Sequence, residues 1–434
     1  MPEELHLKFF LPYCYETQET KILKNISLLL LLFGYVSCAP ATDKELHITV
    51  DAGEYDRHNS IGSFQMPDVP EYGQYHLVDS EGNTIPVQID DRNAHFILPV
   101  MNSGESISMR LLPTKAENDK GVTVKLHEDA VAFSLEGNRP VLQYRSGTGG
   151  LELGDLDERL HRGGYLHPVV SPEGQIITGH YNPDRPHQQG IWSGWSRTEF
   201  EGRNPGFWYG PTGTGSVDVH SLDHIWSGPV HGGIRAKHHF TDKTTDEDVV
   251  ILSDNWTVRV YNVPMKHEYP VHVFDLDVSQ VNVTGSPFTI NEWVYGGIGF
   301  RGNDAWLGEE NTRLLTSEGK TRTDGEPLRD VWSHVDSHQS RARWAYLSGV
   351  VNDKRPGIAI LVHPENLQFP QPIFMNLREP FFMFSPVVME DIRLEPGESL
   401  RFRYRYVVMD EEPDPVFLES LWQDYAYPAT INLD

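Results

Sequence analysis

The densest group of side chains that could do chemistry lies between Gly163 and Trp195, a stretch rich in proline and glycine. Its candidates for direct contact with a ligand are Arg185, His187, Gln188, Trp192 and Trp195. Prolines on both sides of Asp184-Arg185 restrict the backbone, and Gly190 permits a turn into the aromatic segment that follows. An imidazole titrates near neutral pH, and guanidinium and amide groups bind carboxylates and hydroxyls. We therefore predict a site here, in which the two indoles stack on sugar rings unless they belong to the core.

A second group follows about a hundred residues later. It consists of Glu292, Tyr295, Arg301, Arg343, His363 and Asn366. The two arginines suit bidentate recognition of a carboxylate, and His363 stands directly after an apolar run that predicts a strand, where it can point into a cleft. Structural alternatives are an ion pair between Glu292 and Arg301, and a His363-Pro364 step that simply ends the strand.

Metal binding is a competing use of the 20 histidines. Both cysteines, Cys14 and Cys38, lie in the first forty residues, so the remaining chain has no thiol nucleophile and no cysteine ligand for zinc. His220 and His224 have ligand spacing only on a helix, whereas their surroundings predict strand or loop. We predict no cofactor, and a divalent ion held by oxygen and imidazole ligands remains open.

The pattern around these groups predicts an all-β protein. Short apolar or alternating runs separated by turn residues predict a small N-terminal β-sandwich over 45–115, a polar break at 116–121, and a large antiparallel β-sandwich over 122–434. Leu400 to Val407 alternates apolar residues with arginines, which indicates a half-buried strand. Helical periodicity is limited to about Pro415–Tyr425.

The N-terminus and the net charge restrict partners and location. Residues 1–38 resemble a signal or lipoprotein leader, with a short apolar run that ends before Cys38. We expect an exported protein, periplasmic or on the cell surface, that contacts a membrane only through a lipid on Cys38. A formal charge of −26 argues against nucleic acid as a partner. The oligomeric state is left open.

Several motifs resemble the PmoA-like family of exported bacterial proteins. They are Tyr165-Leu-His167-Pro, Asp184-Arg-Pro-His187-Gln-Gln-Gly190-Ile-Trp192, Tyr295-Gly-Gly-Ile-Gly-Phe-Arg301, Arg343-Trp344 and Gly357-Ile-Ala-Ile…His363-Pro364-Glu-Asn366. The usual family run is Asp-His-Pro-His-His-x-Gly-Ile-Trp, so Arg185 and Gln188 stand at two histidine positions. The resemblance implies a galactose-mutarotase-like fold. No long apolar span follows Phe33, which contradicts the membrane oxygenase that the family label suggests.

Within that family, the chain is similar to the dehydratases of ulvan degradation. The resemblance implies an anionic oligosaccharide as partner, and loss of water from a non-reducing-end glucuronate or iduronate to give a 4,5-unsaturated uronate. Such an elimination needs a base for the C5 proton, an acid for the leaving C4 oxygen and a cation for the carboxylate. We assign His187 as the base, Arg185 and Arg343 as carboxylate ligands, and His363 as the acid, with Arg301 and Tyr295 as alternatives. A glycan-binding lipoprotein and a mutarotase or epimerase are the competing functions.

Overall fold

The computed structural model describes residues 46–67, 73–114, 121–264, 269–308, 310–321, 341–375 and 379–433. Within these ranges nearly all regular structure is antiparallel β, which confirms the predicted fold class. The leader with Cys38 lies outside them, and the predicted lipid anchor stays a prediction. In the described part of the chain, no helix has the length and apolar character needed to cross a bilayer.

The strands are numbered in chain order. The N-terminal ones are β1 (Leu46–Asp51), β2 (Ile61–Gln65), β3 (Gly73–Val78), β4 (Thr84–Asp90), β5 (Asn93–Ile97) and β6 (Ser106–Pro113). Next come β7 (Thr123–Leu126), β8 (Ala130–Leu135), β9 (Arg139–Arg145), β10 (Tyr165–Val169), β11 (His180–Asn182), β12 (Arg185–Gln189), β13 (Ile191–Trp195) and β14 (Thr198–Phe200). The long strands β15 (Gly215–Trp226), β16 (His231–Asp242), β17 (Val249–Tyr261) and β18 (Val271–Asn282) follow, then β19 (Phe288–Ile290).

The remaining elements are β20 (Gly296–Arg301), β21 (Thr312–Thr316), β22 (Arg341–Ala342), β23 (Trp344–Gly349), β24 (Gly357–Val362), β25 (Gln371–Met375), β26 (Phe381–Phe384), β27 (Ile392–Leu394), β28 (Ser399–Met409), helix α1 (Pro415–Ala426) and β29 (Thr430–Leu433). Single 3-10 turns lie at Glu136–Asn138, Glu158–Leu160, Gly210–Thr212 and Asp304–Trp306.

The N-terminal strands form one sheet that curls around its own apolar core. Among the described residues its order is β2-β5-β4-β3-β6-β1-β29, and its two edge strands, β2 and β29, contact each other. Strand β29 therefore completes the first sheet, with Ile48 opposite Leu433. A buried ion pair, Arg57 Nη1 to Asp424 Oδ1 at 2.9 Å, ties this sheet to α1. The division of the chain into two domains at 116–121 stays a prediction. Strand β29, which that division assigns to the large domain, lies in the N-terminal sheet.

The larger body is a sandwich of two antiparallel sheets. In the described part of the chain, β22-β25-β26-β20-β13-β10-β9-β8-β7 form the front sheet and β15-β16-β17-β18-β28-β24-β23-β21 the back sheet. One apolar cluster draws on both sheets: Leu166 and Phe300 come from the front sheet, and Phe274 and Tyr406 from the back sheet. Apolar and polar residues alternate along the strands because every second side chain points into this layer.

Helix α1 covers the outer face of the back sheet. Asp414 caps its N-terminus by accepting from the backbone N–H of Val416, and Pro415 occupies the first turn. Leu418 and Trp422 are buried against the sheet, and the Trp422 indole N–H donates to the carbonyl of Val362 at 3.0 Å. The outer face of the front sheet is covered instead by loops and by the hairpin β11–β12, and these carry the site.

A polar chain crosses the layer between the two sheets. The Tyr144 hydroxyl lies 2.8 Å from His238 Nε2, and His238 Nδ1 lies 3.1 Å from Asp254 Oδ2. That carboxylate oxygen also accepts from Ser193 Oγ and from the Trp256 indole, each at 2.9 Å. These donors stabilise a buried carboxylate, and the hydrogen bond to Asp254 places a proton on Nδ1 of His238.

Candidate functional site

The floor of the candidate site is the outer face of the front sheet. Arg145, Tyr165, Trp192 and Gly299 are direct neighbours across β9, β10, β13 and β20, so their side chains share this face. Above the floor, Trp208 packs on Trp192 with ring centroids 5.3 Å apart. The floor is therefore an aromatic layer separate from the core between the sheets.

The hairpin β11–β12 places His187 over this floor. Gly190 ends the hairpin with φ +50°, and a Cβ at this position would collide with the carbonyl oxygen of Leu166, so only glycine fits. The hairpin is fastened to β20 by Arg301, whose N–H donates to the Gly190 carbonyl at 2.7 Å. The Arg301 guanidinium also donates to Gln188 Oε1 at 2.9 Å, next to His187. Gln188 is thus buried as an anchor of the hairpin.

His187 is half-buried and neutral at physiological pH. Burial first, and then the positive charges of Arg185 and Arg301, lower its pKa to about 4. Its ring meets Tyr209 edge-on with centroids 5.0 Å apart, and Tyr209 is 46% exposed at the mouth of the site. The Nδ1 atom of His187 is buried and has no hydrogen-bond partner among the described residues. A neutral imidazole with an unengaged nitrogen has the protonation state that a general base needs.

The two arginines near His187 are bridged by a carboxylate that the sequence did not single out. Arg185 lies 2.9 Å from Glu379 Oε1, and Arg301 Nη1 lies 3.5 Å from Glu379 Oε2. Arg301, whose side chain is 1% exposed, has a further carboxylate partner in Asp304 at 3.1 Å. Two positive and two negative charges compensate each other, so this cluster orders the hairpin and contributes little net positive charge.

Tyr295 supplies a protonated hydroxyl beside this cluster. Burial and the negative charge of Glu379 raise the pKa of Tyr295 to about 12, against a smaller opposing effect of Arg185. Its ring stacks on Trp208 at 5.8 Å, and Trp208 lines the same cavity as His187. The site therefore combines a neutral imidazole with a phenol that keeps its proton, which is the pairing needed to remove one proton and deliver another.

Behind His187 lies a small cavity of about 50 Å³. Four of its lining residues bring buried polar atoms that have no hydrogen-bond partner within the described residues: His161 Nε2, Arg162 Nη2, His187 Nδ1 and Gln189 Oε1. Such atoms are rare in folded proteins because each costs about 1–3 kcal/mol when buried unpaired. Four of them around one cavity mark a place built for a polar ligand or for water.

Two further histidines lie near the hairpin and were not singled out from the sequence as site residues. The rings of His167 and His180 stack with centroids 3.8 Å apart, and Nδ1 of His167 lies 2.9 Å from Thr178 Oγ1. Burial, then the neighbouring positive potential of His180 and Arg145, lowers the pKa of His167 to about 3. His167 belongs to the quoted Tyr165–Pro168 motif, which was the available signal.

The prediction that Trp192 and Trp195 stack on sugars is wrong, because both side chains are 0% exposed. Trp195 points into the layer between the sheets, where its indole N–H donates to Gln280 Oε1 at 2.8 Å. Trp192 lies under Trp208 and Phe381. The structural alternative weighed for these indoles is the one observed, and Tyr209 is the exposed ring beside His187.

Two of the predicted catalytic and binding residues lie elsewhere. His363 follows β24 on the back sheet, where its ring meets Tyr425 of α1 at 5.3 Å. Arg343 is engaged by Glu419 at 3.2 Å and by Glu318 at 3.3 Å. Neither shares a described contact with His187, so the predicted pairing of Arg343 and His363 with His187 is wrong.

Two more predicted binding residues have structural environments. The side chain of Asn366 is buried, accepting from the N–H of Arg403 at 2.8 Å and donating to its carbonyl at 2.9 Å. Glu292 is exposed, and its backbone N–H donates to Asp391 at 2.6 Å. The ion pair considered between Glu292 and Arg301 does not form, because Arg301 pairs with other carboxylates. Asn366 fastens the loop after β24 to strand β28 and is not available to a ligand.

Histidines gather at one further place within the described residues. Ligand atoms of Asp90, His95 and His231 lie within 4.8 Å of one another. However, the Trp226 indole N–H donates to His231 Nδ1 at 2.9 Å, which leaves the proton of the neutral ring on Nε2. Arg259 also lies 3.3 Å from Asp90. A protonated nitrogen and a nearby guanidinium do not suit a cation.

His220 and His224, the spacing-based metal candidates, are not brought together. His220 stacks on His239 at 4.0 Å, and His224 stacks on Trp226 at 5.2 Å.

Comparison with known proteins gives one family and remote structural similarity. A model described as "Family of unknown function (DUF6807)" matches residues 130–423. No curated protein matches. A TPR-domain containing protein from Parabacteroides distasonis is similar at 11% identity and TM-score 0.26, over 73% of this chain and 50% of that one. A polysaccharide lyase follows at 10% identity and TM-score 0.28, over 71% of this chain and 35% of the lyase.

A protein named as a candidate aldose 1-epimerase, from Klebsiella pneumoniae, has 10% identity and TM-score 0.30, over 84% of this chain and 94% of its own. This chain thus spans half or less of the first two proteins. At these TM-scores we draw nothing about function from the three structures, and the galactose-mutarotase-like superfold stays a prediction.

Proposed function

Since the chain belongs to this family of unknown function over residues 130–423, we propose its activity from the site itself: a carbohydrate-active lyase that removes water from a terminal uronic acid. The observation that carries the proposal is that His187, neutral with a pKa of about 4, and Tyr295, protonated with a pKa of about 12, both feel the charge of Arg185. Both border the aromatic layer of the front sheet. The resemblance to the PmoA-like family supports ulvan-type oligosaccharides as substrates.

The roles follow from the two protonation states. His187 takes the C5 proton, α to the carboxylate, and becomes an imidazolium. The electron pair forms the C4–C5 double bond, the C4–O bond breaks, and Tyr295 gives its proton to the departing oxygen. The products are water and a 4,5-unsaturated uronate. Proton exchange with solvent then restores the phenol and the neutral imidazole. The exposed Tyr209 ring is the surface on which the sugar rests.

The test is ultraviolet absorbance over time with saturated, uronate-terminated ulvan oligosaccharides, with and without chelator, because only the conjugated product absorbs strongly. We expect the band to grow with wild type and to grow at least about 100-fold more slowly with His187→Gln. His363→Gln is the matched control, because His363 is also half-buried, with a pKa lowered to about 4 by burial and Arg403, yet lies on the back sheet. It should retain wild-type activity.

Other outcomes separate the competing functions. Oligosaccharide binding without an unsaturated product would refute the lyase and would indicate a glycan-binding protein. A mutarotase or epimerase would use the same acid–base pair and release no water, so proton NMR would show a changed anomeric ratio or a new epimer and no vinylic signal. Loss of the product's absorbance band on chelation would indicate that a metal ion neutralises the substrate carboxylate.

A further inference from the structure

The cavity behind His187 is lined by Arg162, a half-buried arginine that no carboxylate in the described chain pairs. The guanidinium of Arg162 donates from Nε to the carbonyl of Gly163 at 3.1 Å, and its Nη2 is buried without a hydrogen-bond partner. Among the described residues, no carboxylate oxygen lies within 4.0 Å of it, whereas Arg185 pairs with Glu379 and Arg301 with Asp304. Burial lowers the pKa of Arg162. A guanidinium nitrogen that is buried without a hydrogen-bond partner costs about 1–3 kcal/mol unless a ligand accepts from it.

The surroundings of Arg162 fit one kind of occupant. Its nearest acidic groups act from beyond ion-pair distance: Asp218, exposed at the cavity rim and engaged by Ser216 at 2.5 Å, and Asp254, which belongs to the chain between the sheets. The Tyr181 hydroxyl accepts from the backbone N–H of Arg162 and donates to its carbonyl, each at 3.2 Å. A volume of about 50 Å³ admits a small planar group such as a carboxylate.

We infer that this cavity is an anion subsite in which Arg162 binds the carboxylate of a sugar acid, while the sugar ring stays outside against His187 and Tyr209. The fork of a guanidinium matches a carboxylate with two hydrogen bonds. The carboxylate of a uronate is attached to C5, so a carboxylate held at Arg162 brings the C5 proton toward the His187 ring that lines the same cavity. The identity of the sugar acid rests on the proposed function; the binding of a carboxylate does not.

The test compares ligand binding with stability in the intact protein. Calorimetric titration with D-glucuronate, with D-glucose as the neutral control, should give an affinity that falls about 10- to 100-fold in Arg162→Gln, the loss expected for a charge-assisted pair of hydrogen bonds. Arg162→Lys, which keeps the charge and loses the fork, should fall between the two. Arg159→Gln removes the same charge from the exposed rim, where Arg159 pairs with Asp157 at 2.6 Å, and should stay within twofold of wild type.

Stability without ligand separates a ligand-binding arginine from a structural one. Arg162→Gln should have a melting temperature equal to or above that of the wild type, because the unpaired charge is removed. A lower melting temperature, or unchanged glucuronate affinity in this variant, would overturn the inference. Stronger binding of sulfate than of glucuronate would overturn the carboxylate assignment.

The proposed reaction can fail separately from the subsite. If glucuronate binding depends on Arg162 but no unsaturated product forms, the anion subsite is supported and the dehydratase activity is refuted. If Arg162→Gln turns over the oligosaccharide with an unchanged KM, the dehydratase activity is supported and the anion subsite is refuted.

Discussion

The lowered pKa of His187 predicts an unusual pH profile for the proposed reaction. With a pKa of about 4, the imidazole is about 97% neutral at pH 5.5, whereas a histidine at the ordinary 6.5 is about 9% neutral there. Between pH 7.5 and 5.5, kcat/KM should therefore fall by less than about 10%, where an unperturbed base would lose about 90% of its activity. Because the pKa of Tyr295 is raised to about 12, no alkaline limb is expected below about pH 10.

The measurement is kcat/KM at half-unit steps from pH 4.5 to 9, with each acid-treated sample assayed again at pH 7.5 to exclude unfolding. Arg185→Gln removes the larger of the two charge effects on the His187 pKa. Its acid limb should move upward toward 6.5, while that of the wild type stays near 4. An acid limb near 6.5 in both proteins would refute the assignment of His187 as a buried neutral base.

Three further predictions concern the scaffold. The pKa of His272 is lowered by burial to about 4, so its stability contribution is complete above pH 6.5 and is lost as the pH falls toward 4. In urea unfolding, the wild type should lose about 2 kcal/mol more between pH 7.5 and 5.0 than His272→Asn, which keeps a donor for the Val170 carbonyl; parallel curves would contradict this. His238→Leu should lower the free energy of unfolding by about 3–5 kcal/mol at pH 7.5, because Asp254 loses a donor while buried; a loss below 1 kcal/mol would show that its remaining donors suffice. Arg301→Lys should lower kcat/KM at least about 10-fold with unchanged circular dichroism, because an ammonium cannot hold the hairpin as a planar guanidinium does. Turnover equal to that of the wild type would show that another residue anchors the hairpin.

Local patterns in the sequence predicted the strands well, because alternation and turn chemistry are local properties. The alternation from Leu400 to Val407 corresponds to β28, with Leu400 buried and Arg401 exposed as expected. Arg405 departs from this alternation, in which the arginines are expected on the exposed face. It is 9% exposed, paired with Asp275 at 2.7 Å and covered by Tyr425 of α1. A segment twenty residues away decides that burial, and strand periodicity does not contain this information.

The site was harder to predict, for two physical reasons. The hairpin turn at Gly190 is a local backbone requirement, so its place in the motif was visible. Whether Trp192 faces solvent depends on Trp208 and Phe381, which fold over it from distant segments. Likewise, His363 stands at a strand end as expected, but the order of the strands puts that end on the other sheet.

Arg162 and Glu379 were missed because nothing in their spacing distinguishes them from other charged residues. Arg162 becomes notable only when the fold buries its Nη2 atom without a hydrogen-bond partner. Glu379 becomes notable only when it meets two arginines from separate strands. Both residues are identified only by the charged groups that the fold places, or does not place, next to them.

The pairing of β29 with β1 also constrains when the protein can fold during synthesis. Strand β1 is complete at Asp51, but the strand that covers its open edge begins at Thr430. At about 5–20 residues per second, a ribosome needs on the order of 20–80 s to make the intervening chain. Throughout that time β1 presents one row of unpaired backbone groups, which is the feature that promotes aberrant strand pairing. The first sheet therefore cannot close before β29 has been synthesised.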